Sequence, residues 1–127
     1  MSRTINKYKK ILITGTAGFI GFHLAKELLK NKNCKIIGVD IMTDYYDVRM
    51  KQKRNEILKR HPNYRFYKTN VADYKKFESI VKKEKPDIII HLAAQAGVRY
   101  SLVNPWPYAE SNYLATLNVL ESAKRHG

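Results

Sequence analysis

The segment Ile11-Leu12-Ile13-Thr14-Gly15-Thr16-Ala17-Gly18-Phe19-Ile20-Gly21 decides how the rest of the chain is read. A short apolar run enters three glycines spaced G-x-x-G-x-x-G, and an amphipathic segment follows at once. A buried parallel strand, a tight turn and a helix N-terminus account for that pattern. A helix start carries unpaired N–H groups and the positive end of a dipole, which suit a pyrophosphate. Gly15 permits the turn, Gly18 lets backbone approach a ligand, and Gly21 lets the helix sit close to the strand.

Outward from this segment the periodicities alternate. Strands are expected over residues 10–14, 35–40, 64–69 and 87–92, and helices over 19–31, 48–60, 74–84 and from about 104 to 126. In the first helix Phe19, Ile20, His23, Leu24 and Leu28 fall near helical spacing. The second offers Met50, Ile57 and Leu58 for burial and ends at His61-Pro62-Asn63. Asp73 suits the N-cap of the third, whose Phe77, Ile80 and Val81 face inward. Ile88-Ile89-Ile90 is a β-branched run of the kind covered on both faces. Pro105 and Pro107 fit only the first turn of the last helix. Strict β-α alternation predicts an α/β fold, a parallel sheet wrapped by helices through right-handed crossovers. Doubly wound topology gives strand order 3-2-1-4, with a ligand crevice between strands one and four.

Composition excludes several classes. Apolar residues make up 44% of the 127, so a globular domain with a real core is expected. No run approaches the roughly 18 apolar residues needed to cross a bilayer. The basic N-terminus lacks the apolar stretch and cleavage site of a signal peptide, which predicts a cytoplasmic protein and no membrane partner. Cys34 is the only cysteine, so no internal disulfide forms and no cysteine metal site is expected. The formal net charge is +13. Its lysines and arginines fall in one cluster per predicted helix or helix end, not in one stripe, which suits solvated helix faces better than a nucleic-acid partner.

Asp40 is the second chemical signal. It lies 19 residues after Gly21, at the C-terminal end of the second strand, where a carboxylate can accept the hydroxyls of an adenosine ribose. The same charge repels a 2′-phosphate, and no Arg follows within the next several residues, so NAD is favoured over NADP. Leu92-Ala93-Ala94 ends strand four with residues small enough for a cofactor to cross.

Together, residues 14–21, Asp40, His91-Leu92-Ala93-Ala94 and Ser111-Asn112 resemble the extended short-chain dehydrogenase/reductases, the NAD-dependent nucleotide-sugar epimerases and dehydratases. Asp44-Tyr45-Tyr46-Asp47 and residues 95–101 look like the UDP-glucuronate 4-epimerase branch, and the resemblance runs from about residue 10 onward. It implies a three-layer Rossmann-type domain. Gly15, Gly18, Phe19, Ile20 and Gly21 would meet the NAD pyrophosphate region and Asp40 the adenosine ribose. Asn70 and Val71 would lie beside the adenine, Asn70 standing where the family usually has Asp. Leu92, Ala93 and Ala94 would line the cofactor toward the nicotinamide, Asn112 would support the active-site backbone, and Arg99 would face the nucleotide sugar. The implied activity is hydride transfer at C4 of a UDP-hexuronic acid such as UDP-glucuronate through a 4-keto intermediate. A dinucleotide-binding module without turnover, or another dehydratase or epimerase of the superfamily, is the alternative.

The family's proton-transfer pair is a Tyr and a Lys four apart on a helix beyond a fifth strand, the Lys lowering the Tyr pKa. Tyr64 and Lys68 have that spacing but fall in a strand, where positions four apart are about 13 Å apart rather than the roughly 5–6 Å of a helix. They are not assigned a catalytic role. The expectation is therefore an NAD-binding domain over 1–127, truncated after the fourth helix. It would bind cofactor without completing turnover, and it would associate either as a homodimer or with a missing C-terminal half.

Overall fold

In a computed structural model of the chain, residues 8–42, 48–93 and 113–126 are described. The strands are β1 (Lys10–Thr14), β2 (Lys35–Asp40), β3 (Tyr64–Lys68) and β4 (Ile88–His91). The helices are α1 (Phe19–Leu28), α2 (Val48–Lys59), α3 (Tyr74–Glu84) and α4 (Ala115–His126). All three strand pairings are parallel, and the order is β3-β2-β1-β4, the doubly wound order expected. β1 lies at the centre, with Thr14 opposite both Val39 and His91. The glycine turn after β1 therefore emerges between the C-terminal ends of β2 and β4.

The sheet is covered on both faces. On one, Ile11, Ile13 and Ile36 pack with Phe22, Ala25 and Leu28 of α1 and Leu58 of α2. On the other, Leu12, Ile37 and Val39 pack with Phe77, Ile80 and Val81 of α3 and Ala115 and Val119 of α4. The alternation of Ile11 and Ile13 against Leu12 follows the two-residue period of a strand, so β1 feeds both cores. Ile88 and Ile90 join the first cluster and Ile89 the second, each half-buried, and among the described residues β4 pairs on one side only.

Element limits follow local hydrogen bonding. α1 ends at Leu28 rather than 31 because the Lys30 and Asn31 N–H groups turn back to the carbonyls of Glu27 and Leu28. The Asn31 side chain then accepts from the Asn33 N–H. Asp73 caps α3 as expected, accepting from the Lys76 N–H at 3.3 Å. Lys85 ends α3 in the left-handed region (φ 50°), its N–H bonded to the Val81 carbonyl.

Two faces differ from the sequence expectation. In α1 the inward positions are Gly21, Phe22, Ala25 and Leu28, whereas Phe19 and Ile20 are exposed by 67% and 68%. The helix is rotated because Gly21 and not a larger residue must abut the Gly15–Thr16 turn that follows β1. In α2 Met50 is exposed and Leu58 buried, while Lys51 and Asn55 occupy the inward positions. Polar residues hold this face because it reaches the end of β2, where there is a carboxylate to meet. Pro105, Pro107 and the expected start of the last helix lie outside the described residues.

Candidate functional site

The C-terminal ends of β1, β2 and β4 and the start of α1 converge on one point. Gly15 holds φ +83°, and its N–H donates to the Val39 carbonyl at 2.7 Å, tying the turn to β2. A side chain at Gly15 would lie 2.9 Å from the Ala93 nitrogen, so this turn also abuts the end of β4. At Gly21 an added Cβ would fall 2.1 Å from the Gly15 carbonyl oxygen, which fixes how closely α1 crosses the turn. Gly18 is the N-cap of α1 and no side chain caps that end. The Phe19, Ile20 and Gly21 N–H groups thus begin the helix with no intrahelical acceptor, as the geometry of any first turn requires. The exposed Phe19 and Ile20 flank them, and the Phe19 ring meets His23 edge to face at 4.7 Å.

Asp40 closes the opposite wall. The residue is 6% exposed, and its carboxylate accepts from the Ala17 N–H at 3.0 Å and the Met42 N–H at 2.7 Å, one on each oxygen. The first bond joins β2 to the glycine turn across 23 residues. A carboxylate has about four acceptor directions, and these two amides fill one on each oxygen. Lys51 of α2 brings its ammonium to 4.0 Å from Asp40 Oδ1, and Arg54 donates from Nη1 to the Ala17 carbonyl at 3.0 Å. Neither cation was singled out from sequence. Both sit within a basic helix whose charges read alike, and the i, i+3 spacing of Lys51 and Arg54 is their only distinguishing mark.

Thr14, fully buried, organises the β4 side. Its hydroxyl oxygen accepts from the Leu92 and Ala93 N–H groups at 3.0 and 3.1 Å and lies 2.7 Å from His91 Nδ1. His91 Nε2 lies 3.2 Å from the Thr116 hydroxyl on α4. Burial lowers the His91 pKa, keeping the ring neutral. Beneath the turn, the Tyr64 hydroxyl donates to Thr16 at 3.1 Å, and burial pushes that phenol up to about 12. Tyr64 thus braces the glycine turn from β3, while Lys68 is exposed on the same strand.

The loop after β3 is fixed from α4. Asn118 donates to the carbonyls of Val71 and Ala72 at 2.9 and 3.0 Å, and Asn70 accepts from the Ala72 N–H at 2.9 Å. Val71 is buried in the second core cluster. Asn118 is a further residue the sequence did not mark. Its position on an amphipathic helix carries no motif.

The family model described as GDP-mannose 4,6 dehydratase matches residues 12–127. The chain belongs to that family. Among curated relatives, an uncharacterised protein of Methanocaldococcus jannaschii is 52% identical over 94% of this chain and 37% of its own length. A probable UDP-glucuronate 4-epimerase of Rhizobium meliloti is 46% identical over 91% of this chain and 33% of its own length. In structure the chain is similar to the UDP-glucuronic acid 4-epimerase of Bacillus cereus, solved with UDP-glucuronic acid and NAD. The TM-score is 0.82 at 32% identity, covering 91% of this chain and 36% of that one. The chain spans about a third of the length of the curated relatives it matches.

Within this GDP-mannose 4,6 dehydratase family member, the structure brings Gly15, Gly18, Phe19, Ile20, Gly21 and Asp40 to one end of the sheet with Leu92 and Ala93. Asn70 and Val71 follow β3, whose last residue Lys68 is in register with Asp40. Ala94, Arg99 and Asn112 lie outside the described residues.

Proposed function

We propose that this chain is the NAD-binding part of a nucleotide-sugar epimerase acting at C4 of a UDP-hexuronic acid such as UDP-glucuronate. The observation that carries the reading is the buried Asp40 carboxylate, bonded to the glycine turn through Ala17 and keeping acceptor capacity for a ribose. An uncapped helix start 18 to 21 residues along the chain supplies the N–H donors for a pyrophosphate. The donor set fits the dinucleotide: amides for the phosphates, a carboxylate for the ribose, small backbone at the end of β4. NAD held there would supply the hydride acceptor and donor for oxidation and re-reduction at C4.

The residues of this chain orient and do not transfer protons. Gly15 to Gly21 would hold the pyrophosphate region, Asp40 the adenosine ribose with Lys51 beside it, and Asn70 and Val71 the adenine side. Leu92, Ala93 and Ala94 would line the nicotinamide side, and Arg99, a guanidinium suited to a phosphate or carboxylate, would face the sugar. The helical Tyr and Lys that would move protons are not among these 127 residues. The whole stretch 1–127 is therefore assigned as one NAD-binding domain whose turnover needs residues outside it.

Calorimetric titration of the chain with NAD tests this. Binding is expected, and Asp40→Ala should weaken it by about 1–3 kcal/mol, the cost of the lost ribose hydrogen bonds. Unchanged affinity would remove Asp40 from the site, and failure of the parent chain to bind would overturn the reading. Turnover of UDP-glucuronate by the chain alone would refute the claim that proton transfer lies elsewhere.

A further inference from the structure

We infer that His91 is a positioning residue for the cofactor-lining end of β4, acting as a neutral Nε2–H imidazole between Thr116 and the Thr14 hydroxyl. The inference rests on the NAD reading above, but its geometry is independent of it.

The proton positions follow from counting donors and acceptors. A threonine hydroxyl has one proton to donate and two lone pairs. At Thr14 the Leu92 and Ala93 N–H groups, at 3.0 and 3.1 Å, point at the oxygen and take the lone pairs. The hydroxyl proton is left for His91 Nδ1, 2.7 Å away. Nδ1 must therefore be the bare nitrogen, and the ring proton sits on Nε2, donating to Thr116 at 3.2 Å. The chain Thr116–His91–Thr14–Leu92/Ala93 runs from α4, through β4, across β1 and back to the backbone just beyond β4.

What this relay fixes is the rotor of Thr14. A hydroxyl whose proton turned toward either amide could not accept from it: the Ala93 N–H would lose the Thr14 hydroxyl as its acceptor, and the Leu92 N–H would keep only the Thr14 carbonyl at 3.2 Å. That backbone is the surface against which Gly15 packs, with 2.9 Å separating the Ala93 nitrogen from the place of an added Cβ. The imidazole thus sets the gap between the glycine turn and the strand end. Among the described residues the His91 ring hydrogen-bonds to Thr14 and Thr116, so its effect on the cofactor is transmitted through Thr14.

Two variants divide the ring's roles. In His91→Asn the side-chain oxygen falls near the Nδ1 position, accepts from Thr14 and does not reach Thr116. In His91→Gln the amide reaches the Nε2 position, serves Thr116 and leaves Thr14 without an acceptor. NAD affinity is expected to stay within about twofold in the Asn variant and fall roughly tenfold in the Gln variant, the size of one lost hydrogen bond. A role in packing alone would weaken both alike or neither, and either result overturns the proposal. Nitrogen-15 NMR of the parent chain without NAD gives a second reading. An unprotonated Nδ1 and protonated Nε2 support the relay, and the opposite tautomer refutes it even if neither variant folds. If the parent chain does not bind NAD, the proposed function fails and the cofactor role of His91 fails with it. The tautomer and the Leu92 and Ala93 amide shifts, expected to move in the Gln variant and hold in the Asn variant, still decide the relay.

Discussion

Gly21 and Ser122 are both at buried positions, and their substitutions by alanine should have opposite signs. At Gly21 the new Cβ would meet the Gly15 carbonyl at 2.1 Å and its carbon at 2.7 Å, both backbone atoms with no rotamer to yield. The helix must lift off the turn, so Gly21→Ala should lower stability by about 1–3 kcal/mol in a denaturant titration and lose NAD binding with it. Ser122 is fully buried on α4, and its hydroxyl has no hydrogen-bond partner among the described residues. Ser122→Ala removes that orphan and adds helix propensity, so the chain should gain about 0.5–1.5 kcal/mol, read as a higher melting temperature. The first of these was legible from the G-x-x-G-x-x-G spacing. The second was not, because a buried serine looks like any other polar helix residue until its neighbours are known. That Asp40 lies beside the glycine turn was legible for the same reason as the glycines, by distance along the chain. Its neighbour Lys51 was not, since residue types alone do not show which lysine of a basic helix turns inward.

At the scale of elements, α3 is fastened to the sheet by Glu84. Its side chain is 4% exposed and accepts from Arg65 Nη1 at 2.8 Å and from the Tyr67 hydroxyl, with Lys10 Nζ at 3.6 Å. Lys10 also donates to the Glu84 carbonyl at 2.8 Å. One residue at the end of α3 thus reaches β1 and β3 together. Glu84→Gln keeps the shape but turns part of the acceptor into a donor facing donors, and should cost about 1–3 kcal/mol, measured by chemical unfolding. Periodicity located every described element, and the alternation fixed the sheet order. The inward faces of α1 and α2 were misplaced because both helices meet the site end of the sheet. There a glycine, a lysine and an asparagine take positions that apolar periodicity assigns to larger hydrophobes.

For the molecule as a whole, His91, Glu84, Cys34 and Tyr64 bound the pH range of stability among the described residues. Burial lowers the His91 pKa, so its contribution is complete above about pH 6.5 and is lost as pH falls from there through the folded value. Burial alone would raise Glu84, but the Tyr67 and Arg65 hydrogen bonds and the nearby cations outweigh it and lower the pKa. Its contribution is complete above the ordinary value of 4.5 and is lost on further acidification. The Tyr64 phenol, raised to about 12, stabilises below its ordinary value of 10 and loses that contribution as pH climbs from 10 to about 12. The Cys34 thiol, raised by burial above its ordinary value of 9.0, loses its contribution as pH climbs past 9, so melting temperature at fixed ionic strength should show a plateau from near neutral to about pH 9, with two steps on the acid side. His91→Asn should remove the upper acid step and leave the lower one. Because all four strands run the same way, the two ends of the sheet have become specialised. The ends of β1, β2 and β4 carry Thr14, Asp40 and His91, while Lys10 at the start of β1 meets Glu84 at the opposite end. Heat tolerance and ligand choice can then be tuned independently: Lys10, Arg65 and Glu84 are the places to harden the chain, and changes there should leave the dinucleotide dissociation constant where it was.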